Sequence, residues 1–302
     1  MDAIYRKQVE LLIRCLPEVD KQTEFAFKGG TAINLFMRNM PRLSVDIDLV
    51  YLPILPRDIT LKNIETSLAT LTHNIQKNIV GSNVAPIQLK GQAAKLLVEH
   101  NGARIKIEPN VVQRGLVFDI QQHSLCEAAE DEFEVSATIN TLCSEELYGS
   151  KLTAALDRQH PRDLFDVKLL LENEGITERT RQAFVVYLAC HPRPMHELLK
   201  PNLKDIAPAF ESQFQGMPFI PITIGELENT RETLIQKINH ELNEQERRFL
   251  LSIKKDEADW TLLPMSDIKN LPAIQWKLQN IRKMDKAKHQ LAINKLKEVL
   301  QL

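Results

Sequence analysis

Two carboxylates separated by one residue, in the run Asp46-Ile47-Asp48, are the feature of the sequence with the clearest chemical meaning. The surrounding residues from Ser44 to Leu49 alternate between polar and apolar types, which predicts a strand. Residues two apart on a strand share a face, so both carboxylates should project together while Ile47 enters the core. Such carboxylates repel unless a cation lies between them, and Mg²⁺ favours carboxylate oxygens together with substrate phosphates. The pair therefore predicts a magnesium site, although most isolated D-x-D pairs are solvated or salt-bridged.

A phosphate-binding turn is predicted just before this strand. The short apolar run Phe25-Ala26-Phe27 leads into Lys28-Gly29-Gly30-Thr31, and a compact helix from Ala32 to Met40 follows. Glycines let the backbone approach a phosphate closely, and the helix N-terminus offers free N–H groups and a positive dipole end. Thr31 could cap that helix or bond a phosphate oxygen. A simple tight turn is the alternative, but it does not explain why a strand with two carboxylates comes one short helix later.

A third carboxylate is predicted on a later strand. Asn101-Gly102 is a strong hairpin signal between the strands Ala94 to Glu99 and Ala103 to Glu108. The isoleucines of the second strand should face the core, which leaves Glu108 on the opposite face. Glu108 could serve as a further metal ligand or as a base, or it could be an ordinary solvent-facing residue at a strand end.

A second group of charged residues lies on two predicted helices. Lys151 and Arg158 are seven residues apart, which is two helical turns, so both should point from one face. Two such cations suit a triphosphate, with Lys as a point charge and Arg as a fork. Asp163 and Asp166 at the start of the next helix could orient these cations through ion pairs, or could only interact favourably with the helix dipole.

Strand and helix patterns alternate in the first half of the chain, and helical patterns dominate from about Ser144 onward. The last third carries helical patterns over Leu227 to Leu242, Glu244 to Ile253 and Ile274 to Leu300. With 302 residues, of which 43 % are hydrophobic and 26 % charged, the chain is typical of a globular protein with a sizeable core. We predict two domains, residues 1–170 and residues 171–302.

Composition excludes several classes of protein. The four cysteines are widely spaced, which argues against a zinc or C-x-x-C redox site. No apolar run is long enough to span a bilayer, and the start of the chain lacks a signal-peptide core, so we expect a cytoplasmic protein with no membrane partner. The net charge of −2 conceals a basic segment, because the chain from Lys269 onward has eight Lys/Arg against two Asp/Glu. This segment could bind nucleic acid or be a solvated helix face.

These motifs, taken together, resemble the AbiEii/MenT-type nucleotidyltransferases, which are toxins of type IV toxin–antitoxin and abortive-infection systems. The resemblance is carried by Lys28 to Ala32, Arg42 to Leu49, Glu146 to Arg158, and Arg162 to Asp166. It implies an α+β fold, namely a polymerase-β-like nucleotidyltransferase domain with a small mixed sheet, followed by an α-helical C-terminal domain.

The resemblance also implies an activity and a set of partners. A metal-dependent nucleotidyltransferase of this family transfers a nucleoside monophosphate from an NTP to an acceptor such as tRNA, releases pyrophosphate, and has a cognate antitoxin. The alternatives are a nucleotide-binding module without transfer activity and a nucleotidyltransferase directed at protein. Resemblance and spacing together predict these site residues: Asp46, Asp48, Lys151 and Asp163 as catalytic; Lys28, Gly29, Gly30, Thr31 and Arg158 as nucleotide-binding; and Asp46, Asp48 and Glu108 as ligands of Mg²⁺. Arg42 and Ser44 are expected to brace the metal strand.

Overall fold

The computed structural model describes residues 3–89 and 92–302, and these form two compact units. The first unit comprises the chain through Cys143 together with Gln215–Pro221, and the second comprises Ser144–Phe214 and Ile222–Leu302. The structure divides the chain between Cys143 and Ser144, whereas the predicted boundary between residues 170 and 171 falls inside a helix of the second unit. The predicted first domain included residues 144–170 because their charged side chains suit the same reaction as those of the strands. The type of a side chain does not determine which hydrophobic core its helix packs into. Met1 and Asp2, the first residues of the segment that was expected to lack a signal-peptide core, lie outside the described residues.

The first unit consists of a mixed sheet and the helices that pack on it. Its helices are α1 (Ala3–Asp20), α2 (Gly29–Ala32), α3 (Arg57–Asn78) and α4 (Glu127–Phe133), with a π-helical turn over Ile33–Met37. Its strands are β1 (Phe25–Lys28), β2 (Asp46–Tyr51), β3 (Asn83–Leu89), β4 (Gln92–His100), β5 (Ala103–Asn110), β6 (Gln121–Ser124) and β7 (Thr138–Thr141). The described strands form one mixed sheet in the order β3-β4-β5-β2-β1-β7-β6, which agrees with the predicted α+β class.

One face of this sheet forms the core of the unit. Helices α1 and α3 pack against the sheet and against each other. The buried side chains of the central strands, including Ile47 on β2 and Ile107 on β5, are fully inaccessible. Because side chains alternate along a strand, the residues on either side of these isoleucines point to the opposite face. That opposite face carries the carboxylates of interest.

The second unit is helical throughout its described length. Its helices are α5 (Ser144–Arg158), α6 (Pro161–Glu172), α7 (Glu178–Cys190), α8 (Met195–Leu199), α9 (Ala207–Gln213), α10 (Ile224–Glu241), α11 (Glu244–Lys255), α12 (Pro272–Arg282) and α13 (Lys286–Leu300), and 3₁₀ turns cover Trp260–Leu262 and Ile268–Asn270. The single helix predicted from Ile274 to Leu300 is divided in two, because Asp285 caps a new helix by accepting a hydrogen bond from the Lys288 N–H. No helix in the described part of the chain is long and apolar enough to cross a membrane.

Candidate functional site

Strand β2 presents the carboxylate pair as its alternation predicts. Asp46 is the first residue of the strand, and Asp46 and Asp48 are half-buried while Ile47 between them is fully buried. Both carboxylates therefore lie on the face of the sheet that is turned away from α1 and α3. This confirms the predicted strand and the common face of its two acids.

The neighbours of Asp48 on the sheet are charged. In the antiparallel pairing of β1 with β2, Lys28 is opposite Asp48, and in the parallel pairing of β2 with β5, Glu108 is opposite Asp48. Residues directly opposite one another on adjacent strands share a face and lie side by side. The Glu108 carboxylate forms an ion pair with Lys95 on β4. Four neighbouring strands thus carry a row of charged groups, Lys28, Asp48, Glu108 and Lys95, in which two adjacent acids lie between two lysines.

Lys95 is a residue of this row that the analysis of the sequence missed. The hairpin at Asn101-Gly102 pairs His100 with Ala103, and continuing that antiparallel register places Lys95 beside Glu108. The signal was therefore present in the hairpin motif. Among residues 3–89 and 92–302 no three His, Cys, Asp or Glu side chains lie close enough to form a metal cluster, so the third-ligand role of Glu108 stays a prediction.

The glycine turn packs directly on the carboxylate strand. Gly29 has a φ of +82°, a conformation that side chains rarely adopt, and a Cβ atom at this position would collide with the Asp48 carboxylate. A Cβ atom at Gly30 would lie 2.7 Å from the Arg42 guanidinium and 3.3 Å from the Ser44 hydroxyl. Both positions therefore need glycine for close approach, and Gly29 needs it for its backbone conformation as well. This places the backbone of the turn against the acid that would hold a metal.

Thr31 connects the turn to the same strand. Its buried hydroxyl lies 2.6 Å from the carbonyl oxygen of Asp46 and 2.8 Å from the Ser44 hydroxyl. Arg42 is also buried and donates a hydrogen bond of 2.9 Å to the Leu43 carbonyl. The expectation that Arg42 and Ser44 brace the metal strand agrees with these contacts. The Thr31 hydroxyl belongs to the same brace, which leaves the backbone of the turn, rather than this hydroxyl, to meet a phosphate.

The second unit contains the other predicted site residues, and it brings them together. The Lys151 ammonium lies 2.9 Å from Asp163 and 3.0 Å from Asp166, and the three side chains are almost inaccessible to solvent. Arg158, whose side chain is 60 % exposed, approaches Asp163 to 2.7 Å. Of the two cations, Arg158 is thus the accessible one. Lys151 is enclosed by acids, so the prediction of simple ion pairing between these helices agrees with the structure.

The ionisation of Asp163 is set by two opposing effects. Complete burial favours the neutral carboxyl, but Lys151 and Arg158 together outweigh burial and hold the pKa of Asp163 below its usual value. The group is therefore ionised under ordinary conditions. A buried anion with two cationic partners keeps the start of α6 fixed relative to α5.

Comparisons with known proteins agree with this description. The chain matches the family described as "Nucleotidyl transferase AbiEii toxin, Type IV TA system" over residues 10–280. Among solved structures it is similar to MenT4, a nucleotidyltransferase toxin from Mycobacterium tuberculosis H37Rv, with 15 % sequence identity, a TM-score of 0.63 and 92 % of each chain covered. A search of curated proteins finds no match. The structural similarity confirms the predicted fold class.

Proposed function

The chain belongs to the AbiEii nucleotidyltransferase toxin family, and we propose that it transfers a nucleoside monophosphate from an NTP to an RNA acceptor such as tRNA, releasing pyrophosphate. Membership of the family gives the nucleotidyltransferase activity, the use of an NTP and the existence of an antitoxin. The RNA acceptor, the dependence on Mg²⁺ and the roles of individual residues are the proposed parts.

The observation that carries the proposal is the packing of the Gly29-Gly30 turn against a strand with two carboxylates on one face. Asp46 and Asp48 suit a cation that takes two carboxylates from the protein and its remaining ligands from phosphate and water. Magnesium held by Asp46 and Asp48 would neutralise charge on the triphosphate and polarise the phosphoryl group that is attacked.

The remaining residues of the first unit bind and orient the nucleotide in this proposal. The backbone N–H groups of Gly29 and Gly30, at the start of α2, are proposed to contact a phosphate, and the missing side chains let this backbone lie close to Asp48 and Arg42. Lys28, opposite Asp48, adds a positive charge beside the same position. Glu108 lies on the other side of Asp48 and is proposed as the third carboxylate, as a metal ligand or as the base that accepts the proton of the attacking hydroxyl.

In the second unit, Lys151, Asp163 and Arg158 are proposed to take part in nucleotide positioning. The accessible guanidinium of Arg158 is suited to contact a phosphate as a fork, whereas Asp163 and Asp166 fix the ammonium of Lys151. A cation that is already held by acids loses little freedom when a substrate arrives.

The test is incubation of the protein with labelled NTP, Mg²⁺ and total tRNA. We expect label in RNA with the wild type and a loss of more than about 100-fold with Asp46→Ala, because losing even an outer partner of a metal ligand typically costs 10- to 100-fold. Asp58→Ala, which removes an exposed carboxylate from the first turn of α3, is the matched control and should retain activity. Retained labelling by Asp46→Ala would remove Asp46 from the mechanism.

The same experiment separates the alternatives. A nucleotidyltransferase directed at protein would place the label in material that resists ribonuclease and is sensitive to protease. A nucleotide-binding module would retain NTP in a filter assay and label neither class of acceptor. Either result would refute the proposed RNA acceptor.

A further inference from the structure

Helix α12 exposes an aromatic side chain and carries no acidic residue of its own. Trp276 is 55 % exposed, whereas Trp260, the other tryptophan of the chain, packs edge-on against Phe249 with ring centroids 5.9 Å apart. Neither Asp nor Glu occurs anywhere in the helix from Pro272 to Arg282. An exposed tryptophan ring offers a large flat face whose burial against a partner would be favourable.

The residues around Trp276 are amides and lysines. Gln279 and Asn280 follow it by one helical turn and Lys283 by two turns, and all three are exposed. Residues at these spacings share one helix face, and Lys283 is about 10 Å from Trp276 along the axis. At the other end of the helix, the Gln275 amide donates a hydrogen bond of 2.5 Å to the Lys269 carbonyl, which places exposed Lys269 beside the start of α12.

The positive charge of this surface is available to a partner. Lys269, Lys283 and Lys286 are exposed, and within the described residues no carboxylate lies at ion-pair distance from them. Two other cations of the basic segment already have partners within the protein. Lys277 is buried and donates to the His191 and Arg193 carbonyls at 2.6 and 2.9 Å, and Arg282 is neutralised by Asp256 at 2.9 Å.

A cavity adjoins the amide-bearing face. Its volume is about 340 Å³, and it shares Lys269 and Gln275 with the surface just described. Trp260, Asn270 and the ion pair of Asp256 with Arg282 contribute to its walls. The amides of Gln275 and Asn270 supply donors and acceptors of the kind that bond a base edge.

We propose that this face of α12, consisting of Lys269, Gln275, Trp276, Gln279, Asn280 and Lys283, binds single-stranded RNA. Trp276 stacks on an unpaired base, the amides bond base edges, and the two lysines contact phosphates. Bases in a duplex are already stacked on each other and closed to an aromatic side chain, so the surface should prefer single strands. The inference deepens the proposed function, since it supplies a place for the RNA acceptor.

The test is binding of a fluorescein-labelled oligouridine, measured by anisotropy without NTP or Mg²⁺, so that transfer activity does not enter. Trp276→Ala should bind about 5- to 150-fold more weakly, the loss expected for one stacked base, and Trp276→Phe should retain most of the affinity. Phe219→Ala, which removes an exposed aromatic ring from the first unit, is the matched control and should bind like the wild type. In a Trp260→Phe background, oligouridine should quench the fluorescence of Trp276.

Two results would overturn the inference. The first is that the wild type and Trp276→Ala bind oligouridine with equal affinity, or that neither binds it. The second is that a duplex RNA displaces the labelled oligouridine as well as an unlabelled single strand does. Labelling of RNA from NTP is measured in parallel to separate this inference from the proposed function. A protein that binds oligouridine through Trp276 but labels no RNA would refute the proposed acceptor and leave the surface in place.

Discussion

Glu108 lies directly opposite Asp48 in the parallel pairing of β5 with β2. Two like charges at opposed positions destabilise a sheet, and here each acid has a cationic neighbour on its outer side. Lys28 is opposite Asp48 on β1, and Lys95 forms an ion pair with Glu108 from β4. The two lysines offset part of the repulsion between the two acids, which favours a pair of carboxylates placed to bind a cation.

Glu108→Gln tests the third carboxylate. We expect the rate of NMP transfer to fall by about 100-fold or more if Glu108 acts as a base, with the dependence on Mg²⁺ concentration unchanged. If Glu108 is a metal ligand, the Mg²⁺ concentration for half-maximal activity rises instead. Glu99→Gln is the matched control, because Glu99 lies on the adjacent strand and forms an ion pair with Arg104 at 2.5 Å. Activity equal to that of the control would make Glu108 a structural residue.

Gly29→Ala tests the close approach of the turn to Asp48. Gly102 has a similar positive φ of +76°, but a Cβ atom there would meet nothing within 4 Å. Gly102→Ala should therefore cost only the backbone strain, about 1–2 kcal/mol, and leave transfer activity intact. Gly29→Ala carries the same strain and in addition displaces the Asp48 carboxylate, so activity should be lost. Urea denaturation and the labelling assay measure the two effects, and similar activities of the two variants would contradict the close approach.

Lys151→Ala tests the buried ion network of the second unit. Removal of the ammonium leaves two buried carboxylates facing each other, which should lower the free energy of unfolding by about 3–5 kcal/mol. Arg158→Ala removes an exposed partner of the same Asp163 and should cost less than about 1 kcal/mol. Chemical denaturation distinguishes the two. A Lys151→Ala protein as stable as Arg158→Ala would show that the network is not a structural element.

Lys277 should make stability depend on pH on the alkaline side. Burial, reinforced by the nearby charge of Lys254, lowers the pKa of Lys277 from 10.5 to about 8. Above pH 8 the folded state releases this proton while the unfolded state keeps it, so the free energy of unfolding rises with pH, by about 1 kcal/mol between pH 8 and 9. Measurements of stability at these two pH values should show this rise in the wild type relative to Lys277→Met. An equal change in the free energy of unfolding between pH 8 and 9 in both proteins would contradict the lowered pKa of Lys277.

The limit of pH 9 in that experiment has a physical reason. Burial raises the pKa of the Cys15 and Cys190 thiols from 9.0 to about 12. Near pH 9 the unfolded chain is already losing thiol protons that the folded chain retains, so this effect lowers stability and grows as pH rises further. It opposes the effect of Lys277, and the contribution of Cys15 is common to the wild type and Lys277→Met.

Features that depend only on residues close to one another in the chain could be predicted from the sequence. The strand with Asp46 and Asp48, the hairpin at Asn101-Gly102 and the glycine turn each follow from a local alternation or a local backbone requirement. The face of β5 that bears Glu108 was predictable for the same reason. Outside this hairpin, the strand neighbour of each residue was not predictable, because the order of strands in a sheet depends on packing between segments far apart in the chain.

The burial of Lys151 is an example of what sequence reasoning could not determine. Its distance from Asp163 depends on the turn between α5 and α6, where Gln159 has a φ of +53° that no pattern in the sequence signals. The pairing of Leu43 with Met217 is another example. It joins two segments that are far apart in the chain, and neither segment carries a motif that points to the other.

That second pairing has a consequence for the order in which the protein becomes active during synthesis. The segment Gln215–Pro221 belongs to the first unit, where its Met217 carbonyl accepts a hydrogen bond from the Leu43 N–H and the Phe219 N–H donates to the Pro41 carbonyl. These contacts support the residues that lead into the carboxylate strand. A ribosome has to translate much of the second unit before it delivers this segment, so the nascent chain cannot complete the lead-in to Asp46 early. The support for the strand that carries Asp46 is therefore complete only after most of the chain has been synthesised.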